Sequence, residues 1–217
     1  DVVPLAPGEV PTDPILGAHD AKRETTMEFD PDCKGILRHD AHTEKVAEIL
    51  QSASNLHINR DWQFNSQPLQ AQWTDRPSLG GRAWPSILVH PHDPSEPCCD
   101  DKERLQSLAL LLWLNSAPGI LLRWVWSSRQ QKGRGIITRE VLPTMPILDV
   151  RSLSDAQLEL CEEVFQSLRR KPLLPAHKIS EDAVRAELDR RFLGDVLGWP
   201  SEWFHPYGPL ALLRRKL

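Results

Sequence analysis

Arginine, glutamine and lysine gather at Arg129, Gln130, Gln131, Lys132 and Arg134, with Gly133 and Gly135 among them. Arginine can bond two acceptors of a guanine edge and glutamine can do the same on adenine, so these types together suit the reading of bases in a groove. The glycines let such a loop enter closely without a steric penalty. Arg123 and Arg139 flank it and are expected to meet phosphate, which positions a protein on a duplex without selecting sequence. From Arg104 to Arg139 there is no Asp or Glu, although the whole chain has a net charge of −4. The cations are thus a local excess that a phosphate backbone attracts. The competing reading is an exposed loop whose charges only keep the protein in solution.

A second set comprises Asn65, Gln67, Arg82 and Trp84. The first three have base-reading side chains and the indole offers a stacking face. Gly80-Gly81-Arg82-Ala83-Trp84-Pro85 also reads as a tight turn whose Trp caps the core, and for this stretch the turn is preferred.

Other chemistry is poorly supplied. Neither Gly80-Gly81 nor Gly133-Arg134-Gly135 has the spacing of a dinucleotide or phosphate-binding loop. An Asn-Pro-Pro-aromatic box and a Gly-x-Ser-x-Gly elbow are both missing from the sequence. His90, His92, Cys98 and Cys99 are zinc donors by type, but their spacing matches no usual site and a solvated loop is preferred. His39 and His42 lack carboxylate support. Asp20-Ala21-Lys22, Asp32-Cys33-Lys34 and Asp100-Asp101-Lys102 have the acid-x-Lys form of metal-dependent nucleases, yet such triplets arise by chance in a chain with 26% charged residues. No catalytic residue, metal site or cofactor is assigned to this chain.

The elements that would carry these residues are uneven in clarity. Residues 1–35, acidic and rich in proline, read as an extended arm or linker leading in from another domain. The chain opens without Met and looks like a segment of a longer protein. Thr43 begins a short amphipathic helix. Leu56 to Val89 alternates apolar pieces with turn formers, which suits strands. Glu103 to Asn115 is apolar nearly all round, as in a helix with protein on most sides, and Pro118-Gly119 ends it or bends it sharply. ILLRWVWSS fits a helix or a strand, with helix preferred. Ser154 and Gln157 form a capping box opening a helix to about Arg169, and a further helix begins at Ser180 and stops before Gly198 and Pro200. The fold class expected is α+β, a mixed domain of short strands and a buried helix over 36–150 followed by a helical portion over 151–217.

At 217 residues with 40% hydrophobic content the chain can bury a real core. Each of its eight Trp is as easily half exposed as buried. Cys33, Cys98, Cys99 and Cys161 show no disulfide spacing, which fits a reducing cytoplasm. The longest apolar run, Leu108 to Leu114, falls short of the roughly 20 residues a membrane span needs.

Taken together, Phe64-Asn65-Ser66-Gln67, Leu79 to Pro85, Trp113-Leu114-Asn115-Ser116, Arg129 to Gly135, and Leu148-Asp149-Val150-Arg151 leading into Leu153-Ser154-Asp155 resemble the C-terminal specificity region of large bacterial N6-adenine DNA methyltransferase-like proteins. Such regions are akin to the target recognition domains of restriction-modification and phage-defence systems. The resemblance implies that double-stranded DNA is the partner and that S-adenosylmethionine and methyl transfer belong to an upstream domain. This chain would select the target without modifying it. In such domains a helix ending in Leu-Asn-Ser precedes the part that meets DNA; Ala117-Pro118, directly behind that motif, departs from the pattern. The alternative is a protein interaction or scaffold domain within a multisubunit modification complex.

Overall fold

A computed structural model describes residues 2–4, 6, 13–17, 24–36, 43–89, 100–130, 134–138 and 140–217. The strands are β1 (Val2–Pro4), β2 (Pro14–Leu16), β3 (Cys33–Gly35), β4 (Ser54–Ile58), β5 (Asp61–Gln63), β6 (Ala71–Gly80), β7 (Ser86–Ile87), β8 (Ser128–Gln130) and β9 (Arg134–Ile136). The helices are α1 (Thr43–Leu50), α2 (Asp100–Asn115), α3 (Ala117–Trp126), α4 (Asp155–Leu168), α5 (Ala183–Asp189) and α6 (Pro209–Lys216). The fold is α+β, as expected from the sequence.

A mixed six-stranded sheet runs in the order β1-β3-β2-β6-β4-β7, with β2 parallel to β6 and the other neighbours antiparallel. The register of β4 against β6 shifts between Ser54 and Leu56. On β6 the shift leaves Asp75, Arg76 and Pro77 exposed, a place where a proline costs the ladder no hydrogen bond. A smaller antiparallel sheet has the order β5-β9-β8.

Helix α2 touches β4 and β6 as well as α4, so its run from Leu108 to Leu112 is buried on every side. The chain then turns by 72° into α3. That corner is local chemistry. Ser116 caps α3 by accepting from the Gly119 amide, and Pro118 occupies the first turn, where its missing N–H costs nothing. A Cβ on Gly119 would lie 2.1 Å from the Trp113 carbonyl oxygen, so the close approach of the two helices requires glycine. Asn115 fastens the corner to the sheet: Oδ1 accepts from the amides of Gln70 (3.1 Å) and Ala71 (3.4 Å), and Nδ2 donates to the Ala71 carbonyl at 2.9 Å. Arg185, fully buried, donates to the carbonyls of Asn115 and of Pro68, while Asp189 accepts from the Ala117 amide and from Arg214.

Both halves of the Ser154–Gln157 capping box form, and α4 ends at the expected place. The next helix begins later than the sequence suggests. Asp182 rather than Ser180 caps it, accepting from the Arg185 amide, and α5 then runs on as a π-helical stretch, Arg190–Val196, that closes at Gly198 with φ +70°.

The expected arm over 1–35 needs correction. Its described residues supply three strands of the large sheet through the pairing of β2 with β6, and buried Glu28 joins the guanidinium groups of Arg169 and Arg170 at 2.6 and 2.8 Å. Backbone bonds from Glu28 to Arg169 and from Leu173 to Thr25 continue that seam. One hydrophobic cluster extends from Met27 to Leu210, across the divisions expected at 35/36 and 150/151. No single helix among the described residues is long and apolar enough to cross a membrane.

His57 is fully buried in β4, with Nδ1 3.3 Å from the Trp84 carbonyl and Nε2 3.1 Å from the Ser78 hydroxyl. A neutral ring protonated on Nδ1 satisfies both. Burial lowers its pKa from 6.5 to about 4, against the upward pull of the Trp84 and Ser54 backbone. The unfolded chain therefore takes up this proton near pH 6.5 and the folded chain only near pH 4, so the contribution is whole above 6.5 and is lost as pH falls through that window. Unfolding free energy is expected to drop by roughly 1 kcal/mol per pH unit within it. His57→Gln should remove that slope in urea titrations at pH 7, 6 and 5, and equal slopes in the two proteins would contradict the assignment. Asn115→Ala, which strands two buried amides, is expected to cost about 3 kcal/mol. The exposed Asn65→Ala serves as its control and should stay within about 0.5 kcal/mol of the parent.

A candidate nucleic-acid interface

Arg123 is the last residue of the inward stripe of α3, following Ala117 and Ile120, and its side chain is fully buried. One terminal nitrogen, Nη2, donates to three carbonyls: Asn59 at 2.8 Å, Arg60 at 3.0 Å and Gly135 at 3.4 Å. Nε and Nη1 are buried without a hydrogen-bond partner. Burial pulls its pKa down to about 10 against the opposing influence of Asp61, so it is a cation at neutral pH. The expectation that Arg123 meets phosphate on the outer surface is therefore corrected: the guanidinium is turned inward and clamps two β segments to α3.

The clamped segments meet at one place. The Arg60 amide donates to the Ala83 carbonyl at 3.0 Å, and the Ile137 amide donates to the Arg60 carbonyl at 3.4 Å. These bonds join the end of β4, the turn after β6 and the exit from β9. The side chains of Arg60 and Arg82 are exposed there, and neither has a hydrogen-bond or ion-pair partner among the described residues. Both line a cavity of about 510 Å³, together with Ile58, Ile87, Leu142 and Arg123.

The basic loop expected at 129–135 becomes the β8–β9 hairpin. Arg129 stands opposite Gly135 and Gln130 opposite Arg134. Gly135 faces α3, where a Cβ would come within 2.9 Å of the Ser127 side chain, so this glycine serves packing. Arg134 is half exposed and pairs with Asp61 on neighbouring β5 at 3.2 Å. A pair this exposed in water is worth little and yields readily to a stronger anion. Gln131, Lys132 and Arg139 lie outside the described residues. Of the other cations in the acid-free stretch, Arg104 pairs with Glu162 at 2.8 Å.

The second predicted set divides. Arg82 and Asn65 are exposed, Asn65 following β5 at the end where Gln63 pairs Arg134. Gln67 and Trp84 are corrections. Gln67 is buried, its Oε1 accepting from the Gln63 amide at 2.7 Å and from Asn59, and its Nε2 donating to Glu24. Trp84 is fully buried with Nε1 donating to Glu24 at 3.1 Å, so its ring is unavailable for stacking. The turn reading preferred for Gly80 to Pro85 describes it: a Cβ on Gly80 would lie 2.3 Å from the Ser86 nitrogen, and one on Gly81 2.7 Å from the Leu16 oxygen.

Arg60 lies far in sequence from the acid-free stretch, and the charge pattern there does not point to it. The signal available was the polar triplet Asn59-Arg60-Asp61 between two apolar pieces. Among the described residues no group of His, Cys, Asp or Glu has the arrangement of a metal site, and His90, His92, Cys98 and Cys99 lie outside them. Cys161 is buried, which pushes its thiol up to about 12 and leaves it unreactive. The chain matches no family model, no curated protein and no solved structure.

Arg123→Met leaves the carbonyls of Asn59, Arg60 and Gly135 without their shared donor and should destabilise the protein by about 3 kcal/mol. Amide exchange at Arg134 to Ile136 should accelerate with it. An unchanged unfolding midpoint and unchanged exchange in the hairpin would contradict the clamp.

Proposed function

We propose that this chain is a non-catalytic DNA target recognition module of a larger N6-adenine DNA methyltransferase-like protein from a cytoplasmic bacterial restriction or phage-defence system. The observation that supports it is the convergence of three sequence-distant segments. They bring the exposed cations Arg60 and Arg82 beside the β8–β9 hairpin, which carries Arg134 and leads into Gln131 and Lys132. Exposed cations suit contact with the phosphate backbone, and the Arg and Gln types between Arg129 and Arg134 suit the reading of bases. Methyl transfer, with S-adenosylmethionine, is assigned to a domain outside this chain, where an adenine would be flipped from the duplex.

A second reading, a protein interaction or scaffold domain, is favoured by a different region. Trp203, Tyr207 and Leu212 are exposed near the C-terminus, and Trp199 stands edge-on to Trp203 at 5.0 Å. Amphipathic aromatics at a surface are typical of protein interfaces.

Salt separates the two. Anisotropy of a labelled duplex should show affinity falling steeply with salt, and Arg60→Ala, Lys132→Ala and Arg134→Ala should each weaken binding and flatten the log–log salt slope by about 1. Arg190→Ala, on an exposed cation paired with Glu187, should change neither. Salt-insensitive binding, or equal binding by all four variants, would overturn the proposal in favour of the scaffold.

A further inference from the structure

The cavity beside the hairpin has a built-in contradiction that the fold does not resolve. It is walled by Ile58, Ile87 and Leu142, yet three arginines line it. Two of these, Arg60 and Arg82, are exposed and lack partners among the described residues. The third, Arg123, is fully buried and has Nε and Nη1 unpaired. Buried donors without partners are costly, and a buried cation is tolerated best where an anion or acceptor can reach it. The volume, about 510 Å³, falls in the range of small-molecule sites, which are apolar concavities with a few polar groups that fix orientation. Guanidinium groups match phosphate in charge and in geometry.

We infer that this cavity receives one nucleotide, its phosphate held by Arg60 and Arg82 and its base or sugar lying against Ile58, Ile87 and Leu142, with the free donors of Arg123 behind. The inference rests on the DNA reading and names its deepest contact: a nucleotide of the bound strand leaves the duplex surface to enter the cavity. It also explains why Arg82 sits on a turn built from Gly80 and Gly81, whose backbone lines the same cavity without side chains.

The test uses the full chain and three small probes, deoxyadenosine monophosphate, deoxyadenosine and inorganic phosphate, titrated by calorimetry alongside a labelled duplex. The monophosphate should bind and should compete with the duplex. Deoxyadenosine and phosphate should each bind more weakly, since each supplies half of the recognition. Arg60→Gln and Arg82→Gln should each lower monophosphate affinity roughly tenfold. Both side chains are exposed, so unfolding midpoints should match the parent and exclude misfolding as the cause. Equal affinity for the monophosphate and for phosphate alone would reduce the site to a simple anion contact and overturn the inference. If the duplex binds while the monophosphate does not, or binds identically in both variants, the cavity inference fails and the DNA reading stands. If the monophosphate binds in the cavity while the duplex does not, the DNA reading fails and the cavity is a site for free nucleotides.

Discussion

A single buried guanidinium holds the architecture of the candidate interface. Arg123 places one nitrogen within reach of three carbonyls, from Asn59 and Arg60 at the end of one sheet and from Gly135 in the other. These atoms lie on segments more than sixty residues apart, so the charge does what no local turn could: it fixes where the small sheet stands against α3 and the large sheet. The arrangement carries a positive charge inside, offset by carbonyl dipoles and by the Asp61 carboxylate nearby. Residues 59–61 are thus held in place while the Arg60 side chain remains free on the outside.

That clamp works only if α3 points the right way, and the corner before it sees to this. Asn115 grips the backbone at the start of β6, Ser116 caps α3, Gly119 allows the helices to touch, and Asp189 holds the Ala117 amide. Arg185 braces the same corner from the C-terminal helices through the carbonyls of Asn115 and Pro68. The C-terminal portion is in this sense a buttress of the candidate interface, sharing one hydrophobic cluster with the rest of the described residues. On the opposite flank, Glu24 performs a similar service by accepting from both Trp84 and Gln67, which fixes the turn that presents Arg82.

Much of this architecture was legible in the residues. The apolar character of Leu108 to Leu114 on all sides announced a buried helix, Pro118-Gly119 its sharp turn, and Ser154 with Gln157 the start of α4. Charge is not by itself a sign of exposure. Ala117, Ile120 and Arg123 share a helical stripe, and that spacing pointed inward although the residue type pointed out. Gln67 has the side chain of a base reader and Trp84 offers a stacking face, with the core-capping turn preferred for the latter, and the partners of both are Glu24, Gln63 and Asn59, pairings that only tertiary structure creates. The acidic, proline-rich composition of residues 1–35 suggested a linker, whereas Glu24 and Glu28 are buried by partners more than forty residues away. Composition describes what a segment carries and not which charges wait for it elsewhere.

Arg60 and Arg82, from separate segments, line a cavity backed by Arg123, whose Nε and Nη1 are unpaired. Hydrogen exchange of the full chain, with and without a duplex, tests most directly whether DNA docks there. Protection is predicted at residues 58–62, 80–87 and 128–138, with 199–212 unchanged. Protection confined to 199–212, with the hairpin exchanging as before, would contradict it.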